Sequence, residues 1–485
     1  MSTDNSLKKS AFSGVLWKFG ERFFAQFVSL IVSIVLARIL DPEDFVPVGI
    51  AIIFFTFANV FISNGFNTAL IQKKDPDILD YSSVFWFSLI IAVGMYALLF
   101  VLSPWIAQIY HTPVLSDMFR LMGITLLINA VKSVLCAYIA KNLQFKKFFL
   151  STSVGTAVSA AVGILMAVRG YGAWSLVAQQ MTNSIIDTLI LFLTTRMKIS
   201  LSVSFARLKK LFDYGWKVLV ASLISAVYDE ASPLIIGLKF TTVDLTYYTK
   251  GRSFPSLINS AFNDTIAAVL FPVMSKVQDD NERVLQATRR FMQVSSFFVF
   301  PTMVGFFCVS DTFVSVVLTD KWLGAAVYIR IFCLCYMFNI IQNGNLQTIK
   351  AIGRSDILLK LEVIKKLSYL IILIAFVLLA KSPIYIAVSS IFCTVIATLV
   401  NTYPTRKLIQ YSYKKQIMDL LPNLAFSIIM GAVVILVAFL IESKILCLLC
   451  QIATGVVVYT LCHVLSKSSQ FRYVKGLLAE MLHRF

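Results

Sequence analysis

Residues 420–441 read LLPNLAFSIIMGAVVILVAFLI, and residues 445–465 read ILCLLCQIATGVVVYTLCHVL. Only Glu442, Ser443 and Lys444 separate them, and neither stretch holds an acid, a lysine or an arginine. A helix rises about 1.5 Å per residue and the hydrocarbon core of a bilayer is about 30 Å thick, so about 20 apolar residues span it. Both stretches are long enough, and neither shows the period-two alternation of a barrel strand. Similar runs recur upstream, near 12–38, 45–70, 82–103, 116–138, 148–168, 173–195, 213–237, 243–273, 288–312, 324–349, 361–380 and 383–403. The sequence therefore predicts an all-α integral membrane protein of about fourteen transmembrane helices.

Composition supports this reading. Of 485 residues, 58% are hydrophobic and only 14% are charged, and the mean hydropathy is +0.81. A soluble enzyme, a disordered chain or a disulfide-stapled module could not carry so much apolar surface. The net charge of +18 sits in short junctions between the runs, which suits orientation signals and anionic lipid contacts rather than nucleic acid. Alternate junctions are rich in lysine and arginine, such as Arg196, Lys198, Arg207, Lys209 and Lys210, or Arg406, Lys407, Lys414 and Lys415. The intervening junctions carry only Arg169, Lys239, Lys321, Lys381 and Lys444. That alternation predicts both termini in the cytoplasm. The basic stretches 196–212 and 274–290 are expected to lie as amphipathic helices on the inner leaflet. The first run lacks a short apolar core and a small-residue cleavage site, and reads as a retained span.

An echo relates two turns. Leu40-Asp41-Pro42-Glu43-Asp44-Phe45 joins runs one and two; Phe240-Thr241-Thr242-Val243-Asp244-Leu245 joins runs seven and eight. It suggests two pseudo-symmetric six-helix bundles, 1–198 and 199–405, followed by two C-terminal helices and a basic tail over 406–485.

Catalytic signatures are missing. The sequence has no phosphate loop, no H-E-x-x-H and no G-x-S-x-G. His111, His463 and His483 are scattered. Cys447-x-x-Cys450 lies in an apolar run and reads as buried thiols. No enzyme, cofactor or metal is expected. The outer junctions are too short to hold catalytic acids for a lipid-linked-sugar polymerase or ligase.

Polar residues inside the runs mark the candidate site, because such groups are costly in lipid and face a cavity or a partner. Lys18 and Arg22 share a face of run one, and Gln179, Asn183 and Asp187 follow i, i+4, i+8 in run six. Run seven carries Asp229 with Glu230 beside it. Run eight aligns Arg252, Asn259 and Asn263, flanked by Lys250 and Asp264. Run ten adds Asn339, Gln342, Asn343, Asn345 and Gln347. Lys18, Arg22, Lys250 and Arg252 suit a phosphate or pyrophosphate. Gln179, Asn183, Asn259, Asn263, Asn339 and Asn343 suit sugar hydroxyls. Asp187, Asp229, Glu230 or Asp264 could take up a coupling proton or sodium ion. The bland alternatives are snorkelling cations, interhelical amide contacts and acids that merely neutralise a neighbour.

Five stretches resemble, in order, the polysaccharide-unit flippases of the multidrug/oligosaccharidyl-lipid/polysaccharide exporter superfamily. They are ARILDPEDF at 37–45, GFNTALIQ at 65–72, GYGAWSLV at 170–177, LFPVMS at 270–275 and KAIGRSD at 350–356. The likeness is strongest to the colanic-acid and exopolysaccharide exporters. One departure is Val46-Pro47, where the pattern has a glycine after Phe45; the proline is expected in the first turn of helix two, where it is tolerated. The resemblance implies a bacterial inner-membrane protein that moves an undecaprenyl-pyrophosphate-linked oligosaccharide from the inner to the outer leaflet. It implies two bundles opening in a V, a cationic cavity and ion-coupled exchange, with membrane lipids, a polymerase and chain-length machinery as partners. A cation-coupled multidrug antiporter of the same superfamily is the alternative. It would want an acidic, aromatic-lined lobe.

Overall fold

The computed structural model describes the backbone of residues 2–63, 65–73, 75–142, 144–275, 280–468 and 470–472, and the side chains of these except 2–16, 18, 19, 214, 261–275, 355 and 359. The chain divides into two compact units, Met1–Thr246 and Tyr247–Phe485.

In the first unit, α1 (Ser2–Ile39) packs on α7 (Phe145–Val168), and α7 packs along α8 (Ala173–Thr195). Between them in sequence come α2 (Pro42–Ser63), α3 (Phe66–Gln72), α4 (Ile78–Ile109), α5 (Val114–Met122) and α6 (Ile124–Lys141); α9 (Phe205–Lys239) covers α2 and α3. The second unit takes in most of α10 (Thr242–Ser275). It continues with α11 (Asn281–Phe313), α12 (Ala326–Ala351), α13 (Ser355–Leu379), α14 (Pro383–Leu408), α15 (Tyr413–Leu440) and α16 (Lys444–Leu465). A π-turn (Val314–Leu318) and a 3-10 turn (Asp320–Ala325) join α11 to α12.

Every apolar run falls on one of these helices or on a broken pair. Among the described residues, twelve stretches are long and apolar enough to cross a membrane. The expected count of fourteen is not reached, because α10 and α13 are not among them. α10 carries Asp244, Lys250, Arg252 and Asp264, and α13 carries Lys360, Glu362, Lys365 and Lys366 in its first half. The second half of α10 lies outside the residues whose side chains are described, and every 18-residue stretch of α13 includes Glu362, Lys365 and Lys366.

The echoed turns share one local geometry. The carboxylate of Asp44 accepts from the Asp41 N–H at 3.1 Å, and that of Asp244 accepts from the Thr241 N–H at 3.2 Å. In each case an acid in the first turn satisfies a backbone donor just ahead of the helix. Pro42 starts α2, where a missing N–H costs nothing. Pro47 is therefore in the second turn, not the first as the sequence suggested, and Glu43 loses its carbonyl's helical partner there.

The second run is likewise broken. Gly65 has φ 94°, and a Cβ on it would lie 2.9 Å from the carbonyl oxygen of Gly215 in α9. Only glycine meets both demands, so α2 and α3 are separate helices at this backbone contact.

The basic stretch 196–212 does not form the expected amphipathic surface helix. Residues 196–204 are non-helical, and 205–212 are the first turns of α9. The N–H groups of Ser200 and Ser204 donate to the hydroxyls of Ser82 and Ser83 at 2.8 and 2.9 Å, and Trp86 Nε1 donates to the Ser200 carbonyl at 3.0 Å. Side-chain partners on α4 thus hold the segment extended. Arg207 then pairs with Asp77, and its guanidinium holds that carboxyl down at about 2. The fully buried Asp80 pairs with Lys73 at 2.5 Å. Residues 281–290 are the start of α11, so the second expected surface helix is absent from its described part.

Candidate functional site

The first unit carries an open cavity of about 310 Å³ between α2, α5, α6 and α8. Its lining is amphipathic. Ile52, Phe55 and Met122 form an apolar side; Asn59, Asn129, Gln180, Asn183 and Ser184 bring amides and a hydroxyl; and Lys132 supplies an ammonium. The polar groups are tied across helices. Asn129 Nδ2 donates to Asn59 Oδ1 at 3.0 Å, and Ser184 Oγ donates to Asn129 Oδ1 at 3.1 Å. One amide on α6 thereby links α2 and α8.

Lys132 is neutralised from behind. Its Nζ lies 2.5 Å from Asp187 Oδ2, and the Asp187 side chain is 8% exposed. Asp187 is set by close helix packing: a Cβ on Gly155 of α7 would lie 3.1 Å from Asn183 Oδ1 and 3.2 Å from Asp187 Cβ. Gly163, two turns on, would meet Gln179 Cβ at 2.9 Å. Small residues on α7 thus let α8 approach with its polar stripe facing the contact. Of the expected stripe, Gln179 packs on α7, Asp187 becomes a counterion, and Asn183 reaches the cavity. Lys132, Asn59, Asn129, Gln180 and Ser184 were not singled out from sequence. A lysine within an apolar run was the available signal, and Asn129 lies one helical turn before it.

In the second unit Lys250 and Arg252 flank Gly251, whose Cβ would fall 2.5 Å from Tyr328 Cβ and 2.8 Å from the Ala325 carbonyl oxygen. The missing side chain allows α10 to press on the start of α12. Lys250 Nζ stands 5.4 Å from the ring centre of the fully buried Trp322, a cation–π contact. Lys250, Arg252 and Asn259 are all half-buried. Arg22 lies on the exposed face of α1, Asp229 on that of α9, and Glu230 is half-buried. The side chains of Lys18, Asn263 and Asp264 lie outside the described residues.

The polar half of α12 divides. Asn339 and Asn343 are half-buried. Gln342 donates to Thr398 Oγ1 at 3.2 Å, and Asn345 is fully buried in an amide pair with Gln416, at 3.1 Å each way. Thr402 and Thr405 close that cluster at 3.0 and 2.8 Å from Asn345. Asn345 thus joins α12 to α14 and α15.

The family described as "Polysaccharide biosynthesis protein" matches residues 35–327, more than half of the chain. The succinoglycan biosynthesis transport protein ExoT of Rhizobium meliloti (strain 1021) is 24% identical over 59% of this chain and 58% of its own length, so the chain spans less than two thirds of that relative. The lipopolysaccharide biosynthesis protein WzxC of Escherichia coli (strain K12) is 22% identical over 74% of each chain. The teichuronic acid biosynthesis protein TuaB of Bacillus subtilis (strain 168) is 22% identical over 73% of each. In fold, the chain is similar to the lipid II flippase MurJ in an inward closed conformation. The TM-score is 0.75 at 17% identity, over 93% of this chain and 99% of that one. An inward-facing multidrug MATE transporter of the MOP superfamily gives a TM-score of 0.56 at 12% identity, over 80% and 96%.

Proposed function

The chain belongs to the polysaccharide biosynthesis protein family, and from that premise we propose that it flips an undecaprenyl-pyrophosphate-linked oligosaccharide from the inner to the outer leaflet of a bacterial inner membrane, with both termini in the cytoplasm. The observation that carries this reading is the conjunction of that family with the fold of a lipid flippase, in a chain whose described residues include twelve stretches apolar enough to span. The cargo has an anionic joint between a glycan and a lipid tail. We assign the joint to Lys250 and Arg252; a guanidinium offers a fork of donors to phosphate oxygens. The amides Asn259, Asn263, Asn339 and Asn343 are the partners proposed for sugar hydroxyls beside them. The tail stays in the bilayer while the head crosses by alternating access. Flipped units pass to a polymerase and its chain-length machinery.

We further propose that a proton or sodium gradient drives the exchange through Asp229, Glu230 or Asp264. Asp187, which pairs with Lys132, is the fourth candidate. The rival multidrug antiporter would want an acidic, aromatic lobe. The cavity of the first unit is instead lined mainly by amides and hydroxyls.

The test is translocation of a fluorescent undecaprenyl-pyrophosphate-linked oligosaccharide in vesicles holding only this protein. Wild type should move it, and collapsing the coupling gradient should slow it. Arg252→Ala should lower the rate at least about tenfold with protein level held, the worth of one charge-assisted phosphate contact. Dye export with no lipid-linked transport would favour the antiporter instead.

A further inference from the structure

We propose that the cavity of the first unit is a saccharide subsite, which reads the glycan of the cargo while the pyrophosphate is held elsewhere. The inference rests on the translocator reading above and adds to it a place and a ligand class. It starts from charge. The one cation on the cavity wall, Lys132, has its counterion 2.5 Å behind it, so the lining is neutral as a set. A neutral lining gives a pyrophosphate no net attraction.

What remains is hydrogen-bonding capacity. Among the described residues, Gln180 and Asn183 make no hydrogen bond with another side chain or with the backbone, and both line the cavity. Each amide offers two donors and a carbonyl with two lone pairs, the mixed set that vicinal hydroxyls need. Asn59 keeps its own Nδ2 donors while its Oδ1 accepts from Asn129. Asn129 itself is held by bonds on both sides, to α2 and to α8, so the wall is fixed before a ligand arrives. Pre-organised groups bind with less ordering cost. Ile52 and Phe55 of α2 also line the cavity, and the C–H face of a sugar ring can rest against them. A volume of about 310 Å³ lies at the small end of the usual range for ligand pockets, about 300–1,000 Å³. It suits one or two rings and not a whole repeat unit, so the subsite would select a particular sugar of the cargo.

The experiment measures equilibrium binding to the full chain in lipid nanodiscs with two probes. One is the undecaprenyl-pyrophosphate-linked oligosaccharide extracted from the source cells; the other is undecaprenyl pyrophosphate without sugar. Wild type should prefer the glycosylated probe. Gln180→Leu with Asn183→Leu should weaken that probe about tenfold or more and leave the bare lipid unchanged. Asn183→Ala alone, a smaller change at an exposed position, carries the test if the pair of substitutions lowers the melting temperature. Equal affinity of wild type for the two probes overturns the subsite and leaves the translocator reading standing. So does an equal loss of both probes in a variant that melts like wild type, or no loss of either. If wild type binds neither probe, the translocator reading falls and the subsite with it.

Discussion

Asp419→Ala should destabilise the second unit by about 3 kcal/mol. The carboxylate, on α15, collects four donors. Arg289 of α11 reaches it with two, Nε to Oδ2 at 2.8 Å and Nη2 to Oδ1 at 2.7 Å; Tyr411 donates at 2.8 Å and Gln293 at 3.1 Å. Removing one partner of a buried pair costs about 3–5 kcal/mol, because the other charge stays behind unpaired. Here the guanidinium is 45% exposed and can rehydrate, so its share falls below that range. The phenol of the fully buried Tyr411 cannot follow it into water. Burial raises its pKa, which keeps it a neutral donor, and an orphaned buried donor costs about 1–3 kcal/mol. Tyr411→Phe, which removes donor and demand together, should cost only about 1 kcal/mol. Thermal melts of the detergent-solubilised protein check both. If Asp419→Ala melts like wild type, this cluster is not what fastens α15 to α11.

The lengths of the apolar runs made the helices legible, and the echo at 41–44 and 241–244 proved to be one capping geometry used twice. The breaks were not legible in the same way. Gly65 looks like any glycine near a helix end until Gly215 is seen against it, 150 residues away. Helical spacing tells which residues share a face and is silent on what that face meets. Gln179, Asn183 and Asp187 share a stripe, yet one meets the small residues of α7, one a cavity and one a lysine. Asn343 and Asn345 are two positions apart and point to different surroundings, one half-buried and one locked to Gln416. The linker 196–204 was misread because its basic composition suggested a membrane surface. The serine hydroxyls of α4 that hold it extended belong to another part of the sequence.

The pair Lys132–Asp187 sets up the other large effect, and its two halves are unequal. Lys132→Met leaves the carboxylate of Asp187 8% exposed, packed against Gly155 and without its cation. A stranded buried charge of this kind costs about 3–5 kcal/mol, and with the lysine one-third exposed the lower end is expected, about 3 kcal/mol. Asp187→Asn strands the ammonium instead. That group lines a cavity which can hold water, so the loss should be nearer 1 kcal/mol. Lys132→Met together with Asp187→Leu removes both charges and their desolvation, and should melt within about 1 kcal/mol of wild type, since apolar replacements of buried pairs are often neutral. The melting temperatures of these three variants decide the matter. If the double variant is as unstable as Lys132→Met, the stranded charge of an unpaired Asp187 is not the cause and the lysine must hold the cavity wall by its own contacts. If it folds like wild type but no longer moves lipid-linked glycan, while Asp187→Asn with Lys132 in place is also inactive, then Asp187 does more than balance a charge and becomes a coupling carboxylate alongside those on α9.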